Sequence, residues 1–395
     1  SLSSGTTVNL TAVFFTDLNT GYASGALGTI LKTTNAGVNW FPVTNNLTTE
    51  AFYSLYFINA NTGYASGSNG LMAKTTNAGL NWTTSYISSN NLYSVYFSDN
   101  ETGWIVGYNS CLKTTNAGLT WFAQLIPSDY VLTSIVFNNN KGFICVNAST
   151  SNLLITTNSG ANWLDSKIRA GTLGSSGICF NANFGVAVGK ETVNGYFKPV
   201  IFMTTNNGNN WTESIINNRK GMLLSVDISP TNPNIIFAVG RYFNDSIHNN
   251  KGMILYSTNA GLTWLEEIWP VNNMEFRRVK ITTNSVFIVG EDGVILKSVV
   301  PIGITTIGTA IPGIFSLSQN YPNPFNPTTN IEFSIPKNGL VRLSVFDMTG
   351  KEVANLVNQV LSTGNYRVNF NASNLSSGTY FYRLQSETYV NTKKM

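Results

Sequence analysis

Charge is what this 395-residue sequence has least of. Asp, Glu, Lys and Arg together make up 11% of it, against roughly 25% in an ordinary soluble domain. Asn, Thr, Ser and Gly take their place, so the surface is polar but weakly charged, which leaves self-association open. Residues 1–300 hold 16 Lys+Arg and 15 Asp+Glu, and residues 301–395 hold 7 and 4. With no basic run there is nothing to track phosphates, which excludes nucleic acid as a partner. No apolar run approaches the roughly 20 residues of a membrane-spanning helix, which excludes a transmembrane segment of that kind. One histidine, His248, and no CxxC pair leave zinc without a ligand set. Cys111, Cys145 and Cys179 are three, an odd number, each in a strand-like apolar context. They read as small buried hydrophobes rather than a disulfide frame. Neither a metal nor a cofactor is expected. The chain opens on Ser1, as expected after removal of an export signal.

What the sequence does have is a repeated nonapeptide. "KTTNAGVNW" at 32–40 returns as "KTTNAGLNW" and "KTTNAGLTW", then more loosely as "ITTNSGANW", "MTTNNGNNW" and "YSTNAGLTW". The tryptophans that close them, Trp40, Trp82, Trp121, Trp163, Trp211 and Trp264, are 42, 39, 42, 48 and 53 residues apart. A period near 40 with two-residue alternation marks the blades of a β-propeller. Each unit orders an apolar strand, a turn, a strand, a turn, the strand that enters the box, and a strand that opens at the Trp. These are strands a to d of an antiparallel blade. After the sixth box, "FRRVKIT", "SVFIVG" and "GVILKSVV" supply strands a, b and c of a seventh unit. Its fourth strand is expected from the N-terminal "GTTVNL", which would close the ring and remove an exposed sheet edge. The expected fold is all-β, a seven-bladed propeller over residues 1–300.

In the box, Asn35, Asn77, Asn116, Asn158, Asn206 and Asn259 fall between strands c and d. An Asn side chain can accept backbone N–H groups across a tight turn. Gly37, Gly79, Gly118, Gly160, Gly208 and Gly261, two positions on, supply a left-handed backbone. The Trp plugs a gap between sheets. Six copies spread around a ring serve packing, not chemistry, so the box reads as scaffold.

"TTNAGxxW" resembles the Asp-box of sialidase-type propellers, with Thr for Ser and Asn for Asp. "NTGYASGALGTILKTTNAGVNW" resembles photosystem II assembly-factor-type propellers over residues 1–300. The resemblance implies a fold rather than an activity, with the boxes on the face away from any ligand.

Two further repeated features have two readings each. The a–b turns "DLNTG", "NANTG", "DNETG" and "NANFG" have the alternating oxygens of a calcium loop, but they lack a bidentate acid and read instead as hairpins with Gly in the left-handed region. Lys32, Lys74, Lys113 and Lys297 share one strand-c register, where they form either a positive arc or a cover for the seams between blades.

From residue 314 the texture changes. Val341, Leu343 and Val345 alternate, as do Tyr366, Val368 and Phe370, then Tyr380, Tyr382 and Leu384, which predicts an Ig-like β-sandwich joined by "MTGK", "STGN" and "SSGT" turns. The Pro-punctuated "YPNPFNP" reads as a rigid entry loop, and residues 301–313 as a linker. "NYPNPFNPTT", "VFDMTGKEV", "LSSGTYFYRL" and "TKKM" closely resemble the type A C-terminal sorting domain of type IX secretion substrates. That resemblance implies a secretion-machinery partner acting through residues 314–395, and an extracellular or outer-surface location.

An enzyme is not expected. The first 300 residues hold five arginines, Arg169, Arg219, Arg241, Arg277 and Arg278, without a sialidase-type start. Glu266 and Glu267 are adjacent on a strand and point to opposite faces, so they cannot flank one glycosidic bond. A Ser/His/Asp triad would have to centre on His248. Two long b–c connections, 190–199 and 241–252, bring aromatic and charged residues to neighbouring blades. Tyr196, Phe197, Arg241, Tyr242 and Asp245 are therefore the candidate ligand patch, with surface drift as the competing account. The leading expectation is a non-enzymatic surface or structural protein that partners itself as a homo-oligomer or polymer. A glycan-binding adhesin comes second and a glycoside hydrolase third.

Overall fold

The computed structural model describes the chain apart from residues 44–47, 128–129, 149–152, 167, 169–172, 215, 217–219, 244–249, 284, 300–303, 308–310, 373–374 and 388. It divides into two compact units, residues 1–300 and 301–395. Among the described residues, helix is confined to two short 3-10 turns, Ser68–Gly70 and Glu291–Gly293.

The first unit holds six four-stranded antiparallel sheets and one three-stranded sheet, each built from consecutive strands. Their first strands are Leu10–Phe15, Phe52–Phe57, Leu92–Phe97, Leu132–Asn138, Leu173–Asn181, Gly221–Ile228 and Phe276–Ile281. Each first strand packs on the next, and that of sheet 7 packs on that of sheet 1, so the order is cyclic. Sheet 7 ends at Ile295–Val299, and the N-terminus meets it through one bridge, Leu2 to Ile295. "GTTVNL" itself does not pair there. Residues 4–9 instead turn against the Glu291–Gly293 corner, where Asp292 N–H donates to Asn9 Oδ1 at 3.0 Å. A Cβ on Gly293 would fall 2.0 Å from the Thr6 carbonyl oxygen, so the segment is used to cap that corner rather than to extend the sheet.

The box joins neighbouring sheets. Asn35 Oδ1 accepts the Thr33 hydroxyl at 3.0 Å and the Asn39 N–H at 2.9 Å, while Thr33 Oγ1 accepts the Gly37 N–H at 2.9 Å. The same bonds recur around Asn77, Asn116, Asn158, Asn206 and Asn259. Ala36 and Gly37 both lie in the left-handed region. The glycine has a second reason. On Gly79 a Cβ would sit 2.8 Å from the Tyr22 ring of the preceding sheet, and on Gly160 2.5 Å from that of Trp104. Trp40 and Trp82 are buried beside the box, edge-on to Phe15 and Phe57. Burying such a ring contributes about 1.5–3 kcal/mol.

The register lysines complete this joint. Lys32 Nζ donates to the Ala78 carbonyl at 2.8 Å, Lys74 to Ala117 at 2.7 Å, Lys113 to Ser159 at 2.9 Å and Lys297 to Ala36 at 2.8 Å. Each ammonium also stands 5.0–5.6 Å above a ring of its own sheet. These lysines stitch seams; they do not project as a free positive arc.

The a–b turns differ from expectation in one respect. Asp17 Oδ1 accepts the Asn19 and Thr20 N–H groups, both at 2.7 Å, and Asn59 and Asp99 repeat the arrangement. Their acceptor oxygens are thus turned onto backbone. The glycines that follow, Gly21, Gly63 and Gly103, are not left-handed but begin strand b. Each lies under a phenylalanine of strand a, where a Cβ would come within 2.5–2.6 Å of the ring.

Cys111 and Cys145 are buried, Cys179 is half-buried, and all three are free thiols. Burial pushes Cys111 and Cys145 up to about 12.

The second unit contains two four-stranded antiparallel sheets around one core, in which Ile331, Phe333 and Val368 meet Val341, Leu343, Tyr382 and Leu384. Part of the span read as a linker belongs to it: Ile304–Thr306 pairs with Gly364–Asn371.

Candidate functional site

A channel of about 240 Å³ runs between the first strands of sheets 1 to 7. The candidate patch lies on the side of the first unit where strands b and c connect. The 190–199 segment, read as a loop, is an extended hairpin: Phe184–Val193 pairs with Tyr196–Thr204 through the two-residue turn Asn194–Gly195. Both turn residues have positive φ, the conformation favoured in two-residue hairpins. The "VNGY" at its tip carries that signal. Tyr196 and Phe197, at the tip, are 51% and 37% exposed, enough to meet a ligand.

Cations stand on these rings. Lys220 Nζ lies 3.5 Å over Tyr196 and Lys190 Nζ 4.2 Å over Phe197. Phe197 contacts Phe243, with ring centres 6.0 Å apart, and the Arg241 guanidinium covers Phe243 at 4.8 Å. Burial, then the nearby Arg241 charge, lowers the Lys190 pKa. Phe197 and Arg241 therefore share one cluster through Phe243, and Tyr196 borders it through Lys220, whose carbonyl accepts the Phe243 N–H at 2.9 Å. Tyr242 does not join. Successive strand residues point to opposite faces, and Tyr242 packs on the core between sheets 5 and 6. Asp245, with His248, Arg169 and Arg219, lies outside the described residues.

The cluster continues as an ion-pair ladder. Arg241 meets Glu275 at 2.9 Å, Arg277 meets Glu275 at 2.8 Å, and Arg277 meets Glu291 at 3.3 Å. Burial raises the Glu275 pKa, against the opposing pull of Arg277 and Arg241. Glu275 is not among the residues that the sequence singles out, although "NNMEFRRV" sets an acid at a buried register just before two arginines. Chemically, the patch offers ring faces and cations to a polar or anionic ligand. Glu266 and Glu267 sit apart from it on Leu265–Asn272.

A cyclic array of antiparallel sheets with its box turns at the seams defines a β-propeller, and a two-sheet unit follows it. Residues 85–218 match the photosynthesis system II assembly factor YCF48 family, and residues 319–395 match the secretion system C-terminal sorting domain. Similar solved structures include YCF48 bound to D1 peptide, at 20% identity and TM-score 0.58, covering 74% of this chain and 94% of that one. YCF48 from Cyanidioschyzon merolae aligns at 17% and 0.60, covering 75% and 97%. The GH74 xyloglucanase from Xanthomonas campestris aligns at 12% and 0.60, covering 75% and 53%. These likenesses concern the fold. No curated protein sequence matches this one. The chain thus carries a β-propeller similar to YCF48 and, at 319–395, a secretion sorting domain of the type IX kind, which marks it for export to the cell surface or the extracellular space.

Proposed function

We propose that this is an exported, non-enzymatic interaction protein: a seven-bladed propeller with an Ig-like sorting sandwich that associates with copies of itself into an extracellular filament or layer. The cyclic order of seven sheets supports the blade count. The observation that carries the assembly reading is a repeated apolar series on the outside of the first unit. Val38, Leu80, Leu119 and Leu262 occupy one position of the box, and each is at least 59% exposed. Phe41, Phe122 and Leu164 follow the box tryptophans and are 60–70% exposed. Isolated surface hydrophobes need no explanation; the same register exposed in sheet after sheet reads as a contact surface. A groove of about 620 Å³ adjoins this series, with Leu125, Pro127 and Leu164 in its wall.

The test is light scattering and electron microscopy of the intact chain, alone and carrying Leu80→Asn, Leu119→Asn and Leu164→Asn. Ordered polymers that persist in high salt and vanish in the variant are expected, because apolar contacts are insensitive to screening. A parent that stays monomeric at high concentration sinks the assembly reading.

A second reading, a surface adhesin for glycans or proteins, is favoured by the exposed rings of Tyr196 and Phe197, since sugars stack on aromatic faces. The likeness to a xyloglucanase makes xyloglucan the first probe. Retention without cleavage supports the adhesin, and release of sugars would overturn the non-enzymatic assignment.

A further inference from the structure

The channel carries a charge that its walls do not match. At one level sheets 2, 3, 4 and 6 present a serine: Ser54, Ser94, Ser134 and Ser225. Three of them stitch sheets together by accepting the N–H of Val95, Ile135 and Val279 at 3.2–3.3 Å. At the same register sheet 7 places Arg278. Arg278 lines the channel and makes no hydrogen bond or ion pair with any other described residue. Asp227 acts on it only from a distance, being held by Lys280 at 2.9 Å and by the Ile281 N–H at 2.7 Å. Cys179, also in the wall, stays a neutral thiol, since burial pushes its pKa far up. Among the described lining residues the charges are therefore Arg278 and Lys280 against Asp227, a net of +1.

Arg278 is half-exposed toward the channel, and its charge is left for a counter-ion there to balance. We propose that the channel holds one small, singly charged anion of the halide class on the Arg278 guanidinium. A dianion would overshoot the single positive charge and meet Asp227. The half-apolar wall also suits a weakly hydrated ion.

The test uses the intact chain. Chloride replaces the bulky HEPES anion from about 1 to about 200 mM at constant ionic strength while the melting midpoint is followed. Bromide-soaked crystals are read by anomalous scattering. The expected results are a midpoint that climbs by a few degrees with chloride and a bromide peak beside Arg278. Arg278→Ser, which gives sheet 7 the residue of its neighbours, is expected to fold and to lose both signals. If the serine variant does not fold, Arg278→Lys serves, with the response weakened but retained. A flat midpoint in the parent, an unchanged chloride response in Arg278→Ser, or a channel free of bromide would each overturn the proposal.

Discussion

At the residue scale, the box shows how one position answers two demands. Gly118 must be left-handed, and it must also lie flat against Tyr64, whose ring a Cβ would approach to 3.1 Å. Asn116 holds the same turn through Thr114 and Thr120. Asn116→Ala with Gly118→Val should therefore destabilise by about 3 kcal/mol, combining lost hydrogen bonds with backbone strain. Thermal melting checks the loss, and affinity for any ligand of the candidate patch should not change. The a–b turns make a different prediction. Burial raises the Asp17 pKa, but the N–H groups of Thr20 and Asn19 outweigh it and hold the carboxyl below 3.8; Asp99 is held down likewise by Thr102 and Glu101. A depressed carboxylate gives stability that is present above 3.8 and is lost as pH falls through the folded value. Asn59 accepts the same two bonds without a charge. Asp17→Asn with Asp99→Asn should lower neutral stability slightly, by the contribution of the two charges, and flatten the acid limb of a pH melting series. An acid limb identical to the parent's would mean that these turns do not drive it.

At the scale of elements, the seam between sheets 7 and 1 is the place to probe. Six sheets close with a strand that follows a Trp, and the seventh with the single Leu2–Ile295 bridge and the 4–9 cap. Deleting residues 1–9 should expose the edge of Ile295–Val299 and uncover Gly293. Earlier melting and aggregation are expected, whereas a truncated protein that melts like the parent would show that the seam holds without them. The strand order is legible in the sequence because tandem copies repeat the same alternation and the same turn residues. The extended hairpin at 184–204 is hidden by its length, which suggests a loop, although "VNGY" carries the turn type that makes it a hairpin. Glu275 and Arg278 are harder to find. What sets them apart is the partner each has or lacks across a seam, and spacing along one strand does not encode that.

At the scale of the whole molecule, two compact units share a chain of low charge. The strand Ile304–Thr306 belongs to the second unit, so the cut that separates them cleanly follows residue 300. A subunit that carries two different contact surfaces can polymerise head to tail when one surface meets the other on a second copy. In the proposed assembly the sorting sandwich of one copy lies on the propeller of the next, through apolar and amide contacts. Removing residues 301–395 should leave a folded first unit with an unchanged melting profile and no polymers by microscopy. Identical polymers from the first unit alone would put the contact elsewhere.

The Leu2–Ile295 bridge has a consequence for connectivity. Because it sets the start of the first unit beside the last strand of its final sheet, the order in which the chain visits the sheets is not dictated by their packing. A short tie between those two points, with a new opening between Tyr86 and Leu92, would thread the same array from a different beginning. Every sheet would then keep its neighbours, and only the place of the seam would move. In such a protein, where the polypeptide starts is a matter of genetic history, and the stability belongs to the circle.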